Sequence, residues 1–206
     1  MFDEAYTKLE LDDVAAILDV LNKKIDGSTF DPLETTILSI DVPFYPGYKF
    51  LNVADHATDP PLLRYVFHKE GEQDYTIIDW KYDTIYGLNT NVPITLDEKN
   101  VLEYVRFFFT FVKGRHGRFI VCETADHIQW KDEPPAVVRK SMNKALSPLQ
   151  LEEKRKDGVF VVNAFMMLKD ALFAVKVFVE PTGKVTMSDH DILIEDIPVL
   201  DTTFVQ

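Results

Sequence analysis

A single cysteine, Cys122, stands among 206 residues, so no disulfide forms within the chain. It lies in the apolar stretch RFIVCE, where a buried, reduced thiol is expected. No apolar run comes near the roughly 20 residues that cross a bilayer. The opening MFDEAYTKLELDD is acidic where a secretory signal is basic and then apolar. Positive charge is also scarce. There are 22 Lys and Arg against 34 Asp and Glu, a formal net charge of −12. Such a balance repels a nucleic-acid backbone and an anionic membrane surface. These absences predict a cytoplasmic protein that binds neither nucleic acid nor membrane.

Chemical signatures are absent as well. The chain contains no HExxH, CxxC, GxSxG, GxGxxG or GxxxxGK[ST]. Cys122 has His116 and His127 near it in sequence but no cysteine-protease signature around it. No catalytic set is therefore assigned, and no cofactor is expected. Three of the five histidines do follow an aspartate: Asp55-His56, Asp126-His127 and Asp189-His190. Imidazole and carboxylate together suit zinc, iron or manganese. A metal-dependent enzyme built on these pairs is thus an alternative reading, although neighbouring side chains tend to point apart and no metal ligand is assigned.

What is present is patterned. Residues 1–60 carry a net charge of −8 and residues 170–206 a net charge of −5, leaving the middle near neutral. Acidic ends serve as solvated surface or meet a basic partner. DDVAAILDVLNKKIDG places Val14, Ile17, Leu18, Leu21 and Ile25 at helical spacing, which predicts a peripheral helix packed by one face. Strands are expected on both sides of Pro46-Gly47 and on both sides of the EGE triplet at 70–72. TIYGLNTNVPI, residues 84–94, reads as a further extended stretch. Thr95 and Glu98 form a capping-box pattern ahead of VLEYVRFFFTF, a helix apolar nearly all round. Such a helix is either sandwiched inside its domain or meets a second subunit or a ligand. On the second reading, Tyr104, Phe107 and Phe111 form a homodimer surface. RFIVCETADHIQW reads as a strand and AVVRKSMNKAL as a helix, with a short second helix ending in EEKRKDG.

The last third predicts a three-stranded meander, GVFVVNAFMMLK, ALFAVKVFVE and KVTMSDHDILIED. Its second turn, Pro181-Thr182-Gly183, sets Glu180 opposite Lys184. In this register Asp189 and Asp191 share one face and His190 the other, so one regular strand does not gather all three on a metal. The aspartates would also fall opposite Phe173 and Val175, so a bend or bulge is expected near residue 188. On the mixed outer face, Asn163, Lys176 and Ser188 form one row, and His190 joins the next with Phe165 and Ala174. Polar groups among aromatics are one form of small-molecule pocket. A second candidate is KGRHGR at 113–118, where Arg115 and Arg118 are candidate anion ligands. Its place at a helix C-terminus weighs against an anion, because the helix dipole is negative there.

The sequence therefore predicts one α+β domain over residues 1–206, mostly antiparallel, with any two-lobed division falling near 125–157. The leading functional expectation is a non-catalytic interaction or regulatory module with a protein partner. The alternatives are a small-molecule binder or enzyme using the polar row, and a metal enzyme.

Overall fold

The computed structural model describes residues 5–25, 27, 29–114, 117–188 and 191–200. The fold is α+β, built from antiparallel sheets and α-helices. The chain divides into two compact units, residues 2–79 and 80–206. The stretch 125–157 lies inside the second unit.

Among the described residues the N-terminal unit is a five-stranded antiparallel sheet in sequential order, with one helix. Its strands are β1 (Thr7–Lys8), β2 (Thr35–Asp41), β3 (Tyr48–Asp55), β4 (Leu62–Lys69) and β5 (Tyr75–Ile77). Helix α1 (Leu11–Leu21) buries Val14, Ile17, Leu18 and Leu21, the stripe read from the sequence. These pack with Ile37, Leu51, Val53 and Val66 from the sheet. Each buried aliphatic side chain contributes about 1.5–3 kcal/mol. After the helix, Asn22 bonds both backbone groups of Phe30, donating to its carbonyl and accepting from its N–H at 2.9 Å each. That exchange returns the chain toward β2. The Pro46-Gly47 turn closes with Tyr48 N–H donating to the Tyr45 carbonyl at 3.1 Å. Gly47 has φ +80°, as the third position of a type II turn requires.

The C-terminal unit opens with helices α2 (Tyr82–Asn91) and α3 (Val101–Phe111). Strand β6 (Ile120–Val121), a 3-10 turn (Ala125–His127), helix α4 (Ala136–Ala145) and strand β7 (Gln150–Lys154) follow. The meander comes last: β8 (Phe160–Leu168), β9 (Ala171–Val179), β10 (Val185–Met187) and β11 (Asp191–Ile194). β10 and β11 share one side of β9, while β6 and β7 share the outer side of β8. One face of the long hairpin is core, with Phe160, Val162, Ala164, Met166, Val175, Val177 and Val179 all buried.

Several expectations are corrected here. Residues 84–94 are helical for most of their length rather than extended. Ile85 and Leu88 are the buried pair, at helical spacing, and the weak formers Thr84, Gly87 and Asn89 are outvoted by packing. The N-cap residue of α3 is Asn100, which makes no side-chain cap bond; Asp97 and Asn100, rather than Thr95 and Glu98, exchange bonds in the turn before the helix. Asp97 Oδ1 accepts from Asn100 N–H at 3.0 Å and Asn100 Oδ1 accepts from Asp97 N–H at 2.9 Å. RFIVCETADHIQW contains only the two residues of β6 as strand, followed by the 3-10 turn. The segment 150–154 is β7, not a helix, because β8 offers it an open edge.

The surface assigned to a homodimer is not on the outside. Tyr104 and Phe107 are fully buried and Phe111 nearly so. Their apolar surroundings lie within the same chain. Phe107 and Phe111 rings sit 5.2 Å apart, and Trp80 lies 5.8 Å from Phe111. The aromatic faces of the helix are covered, and only the stripe of Leu102, Glu103, Arg106 and Thr110 is partly exposed.

Tyr104 also fixes the meander. Its hydroxyl donates to the Gly183 carbonyl at 2.6 Å and accepts from Asn89 Nδ2 at 2.9 Å. Tyr86 adds a second tie, accepting from Val185 N–H at 3.2 Å. Gly183 has φ +77° in the β9–β10 turn, and a Cβ there would run into Asn89 Nδ2 and lie 2.8 Å from Tyr104 Oη. We therefore expect Gly183→Ala to cost about 3 kcal/mol, from forced positive φ together with overpacking. Tyr104→Phe, which keeps the ring and removes both hydrogen bonds of the hydroxyl, is expected to cost about 1–2 kcal/mol. Urea denaturation of both variants measures this; a Gly183→Ala protein as stable as wild type contradicts the packing at this turn.

Candidate functional site

The polar row forms, but around a partner the sequence reading did not include. Asn163 pairs directly with Lys176 across β8 and β9, and Ser188 N–H donates to the Lys176 carbonyl at 3.0 Å. The Lys176 ammonium reaches Glu152 on β7, 2.8 Å from Oε1 and 2.7 Å from Oε2. Its hydrogen bond holds the Glu152 carboxyl below the usual range, with help from the Lys176 charge and from Asn163. The lysine is exposed, so the row is the solvated side of the sheet with its charge matched across strands.

His190 and Asp189 lie outside the described residues. The described strands on either side of them differ in register against β9, as a bend or bulge near residue 188 would require. Met187 pairs with Val177, whereas Asp191 pairs with Ala174. The register slips by one residue, so Asp191 takes the place opposite Ala174 that an unbroken strand would give to His190. A second slip follows between Ile192 and Ile194. All four residues of β11 are exposed, including Ile192 at 54 %, Leu193 at 44 % and Ile194 at 36 %.

The other two Asp-His pairs are used locally. Asp55 is buried and accepts from Ala57 N–H at 3.0 Å, while His56 lies 3.2 Å from Thr36 Oγ1. Asp126 pairs with Arg139, which also bonds Glu133. His127 accepts from Glu123 N–H. Among the described residues, no three His, Cys, Asp or Glu side chains gather as a metal site would require. Cys122 is fully buried, and burial pushes its thiol up to about 12, so it stays protonated at neutral pH.

The most concentrated chemistry lies in a cleft of about 180 Å³ beside α3. Arg106, Phe109 and Thr110 come from the helix; Arg118, Ile120, Val121 and Glu123 come from β6 and its flanks; His127 comes from the 3-10 turn. Arg106 clamps Glu123 with two parallel bonds, Nε to Oε2 and Nη2 to Oε1, both 2.8 Å. Glu123 Oε1 also accepts Leu149 N–H at 2.9 Å. One carboxylate thus ties α3 to the chain after β6 and to the approach to β7. Hydrogen bonding from Arg106 holds the Glu123 carboxyl below its usual range, against the opposing effect of burial. The His127 Nδ1 that accepts from Glu123 N–H at 2.9 Å leaves the ring proton on Nε2.

Arg118 is the described member of the predicted anion pair, and it lines this cleft. Arg115 lies outside the described residues. Arg106 and Glu123 were missed by the sequence reading, although a signal existed. Arg106 is the one basic residue in VLEYVRFFFTF, and a cation on a buried helix needs a partner.

Among the described residues, no helix is long and apolar enough to cross a membrane. No family model matches this chain, and no curated protein or solved structure matches it.

The Glu123 clamp has a defined pH signature. A carboxyl whose folded value is depressed stabilises the fold above its unfolded value, and that contribution is lost as pH falls through the folded value. Glu123→Gln is expected to cost about 2 kcal/mol at pH 7. The gap from wild type should narrow below the ordinary glutamate value of about 4.3. Thermal melts of both proteins from pH 7 to pH 3 check this; a gap that does not change with pH removes the charge from the explanation.

Proposed function

We propose that this chain is a non-catalytic interaction module whose docking edge is β11. The observation that carries this reading is the consecutive exposure of Ile192, Leu193 and Ile194 on a strand at the side of the sheet. Among the described residues β11 pairs only with β9. An extended segment that adds to such an edge gains backbone hydrogen bonds, and side chains on alternate faces supply selectivity. Asp191, Glu195 and Asp196 flank the apolar residues and are all exposed. The occupant is therefore a short extended segment of a partner protein, apolar at its centre and carrying Lys or Arg on either side. The net charge of −5 on residues 170–206 adds to the attraction and speeds encounter. The buried, protonated Cys122 thiol fits a protein that offers no nucleophile there.

A fluorescein-labelled nonapeptide of alternating valine and threonine, with two lysines at each end, tests the reading by fluorescence anisotropy. It should bind the full chain more weakly as salt is raised. The double variant Ile192→Lys, Ile194→Lys should weaken it by about tenfold or more through lost apolar contact and added like charge. Both positions are exposed, so circular dichroism should show an unchanged fold. Equal affinity for a peptide ending in glutamates instead of lysines sinks the reading.

A further inference from the structure

We infer that the outer face of α4 docks the first turns of α1 from a second copy of this chain. The inference is independent of β11. A helix of ten residues is too short to hold in water without packing. Yet Met142 is the one buried residue within α4. Its other ties are polar: Asn143 Oδ1 accepts from Ala125 N–H at 2.7 Å, and Arg139 pairs with Asp126 and Glu133. On the far side, Val137, Ser141, Ala145 and Val138 fall in one stripe about 100° wide, with Lys140 and Lys144 in the row beside it. All six are exposed, Val137 at 76 %. Residues 134–151 include no Asp or Glu. Arg139 is spent on its two carboxylates, but among the described residues Lys140 and Lys144 have no ion pair.

The complement of this face is on α1. Leu11 is 51 % exposed, Ala15 is half-buried one turn on, and Asp12, Asp13 and Ala16 are exposed. Among the described residues Asp12 and Asp13 have no ion pair either. Within one copy neither Leu11 nor Val137 is covered, so the two faces meet only between copies. Small residues on both helices allow close approach of the axes. The lysines lie in the C-terminal half of α4 and the aspartates in the first turn of α1, so an antiparallel pairing matches the charges and sets opposite dipole ends side by side. Each copy carries both faces, so the contact is head to tail. One pair of short helices buries less than the roughly 1,600 Å² of a standard interface, so the association is weak.

Sedimentation velocity of the full chain over a wide range of concentration tests this. The sedimentation coefficient should rise with concentration at low salt, and the rise should shrink as salt is added. Lys140→Glu with Lys144→Glu should weaken association about tenfold or more, and so should Asp12→Lys with Asp13→Lys. All four positions are exposed, so circular dichroism should show an unchanged fold. Mixing the two variants should restore association, because one still offers an acidic α1 and the other a basic α4. The inference is overturned by a wild-type chain that stays monomeric at low salt, by association that survives Lys140→Glu with Lys144→Glu, or by a mixture that stays monomeric. A monomeric chain that binds an acidic helical peptide on α4 also overturns it, and assigns the face to a different protein. If the α1 variant does not fold, the salt dependence of the wild type and its loss in the α4 variant decide alone. None of these outcomes depends on whether β11 binds a peptide.

Discussion

The meeting of Tyr104 with the backbone of Gly183 is the constraint on which the arrangement of the C-terminal unit turns. A tyrosine hydroxyl buried among phenylalanines must find partners, because an unmade hydrogen bond there costs far more than a made one contributes. Its partners are the Gly183 carbonyl and Asn89. Any side chain at 183 would occupy the space they use. The turn, α2 and α3 are thus fixed by one contact of atomic size. The rotation of α3 follows from it. Arg106 lies two residues beyond Tyr104, about 200° around the helix. With Tyr104 directed to the turn, Arg106 is carried to another side, where Glu123 receives it.

That pairing shows how an acidic chain keeps its few cations. Arg106 is committed to Glu123, Arg139 to Asp126 and Glu133, and Lys176 to Glu152. The exposed pairs contribute little to stability, since water and salt screen them. The Arg106–Glu123 clamp differs because both side chains are mostly shielded and the geometry is bidentate. It joins three segments distant in sequence, and so organises the cleft walls whether or not anything binds between them.

Much of the architecture was legible because it is written in short-range patterns. The α1 stripe, the Pro46-Gly47 turn, the Pro181-Thr182-Gly183 turn and the long hairpin all follow from spacing within a few residues. The change of register between β10 and β11 was legible too, since carboxylates opposite Val175 and Phe173 could not remain in register. Its size was not, and one slipped residue exchanged Asp191 for His190. The failures share a cause. Residues 84–91 and 150–154 have weak local preference, and neighbours far along the chain decided their state. The polar row was placed correctly across β8 and β9, but Glu152 was read onto a helix and so its pairing with Lys176 was invisible. The Arg106–Glu123 clamp spans 17 residues and two element types, beyond any periodicity.

The division of the sheet borders into short pieces bears on how copies of this protein behave in a crowded solution. In the C-terminal sheet, β10 and β11 split one border and β6 and β7 the other; in the N-terminal sheet the outermost strands are β1 and β5. Their lengths run from two to five residues. Fibrillar stacking needs a long, flat, uninterrupted template. Interrupted borders deny one chain the means to zip onto the next.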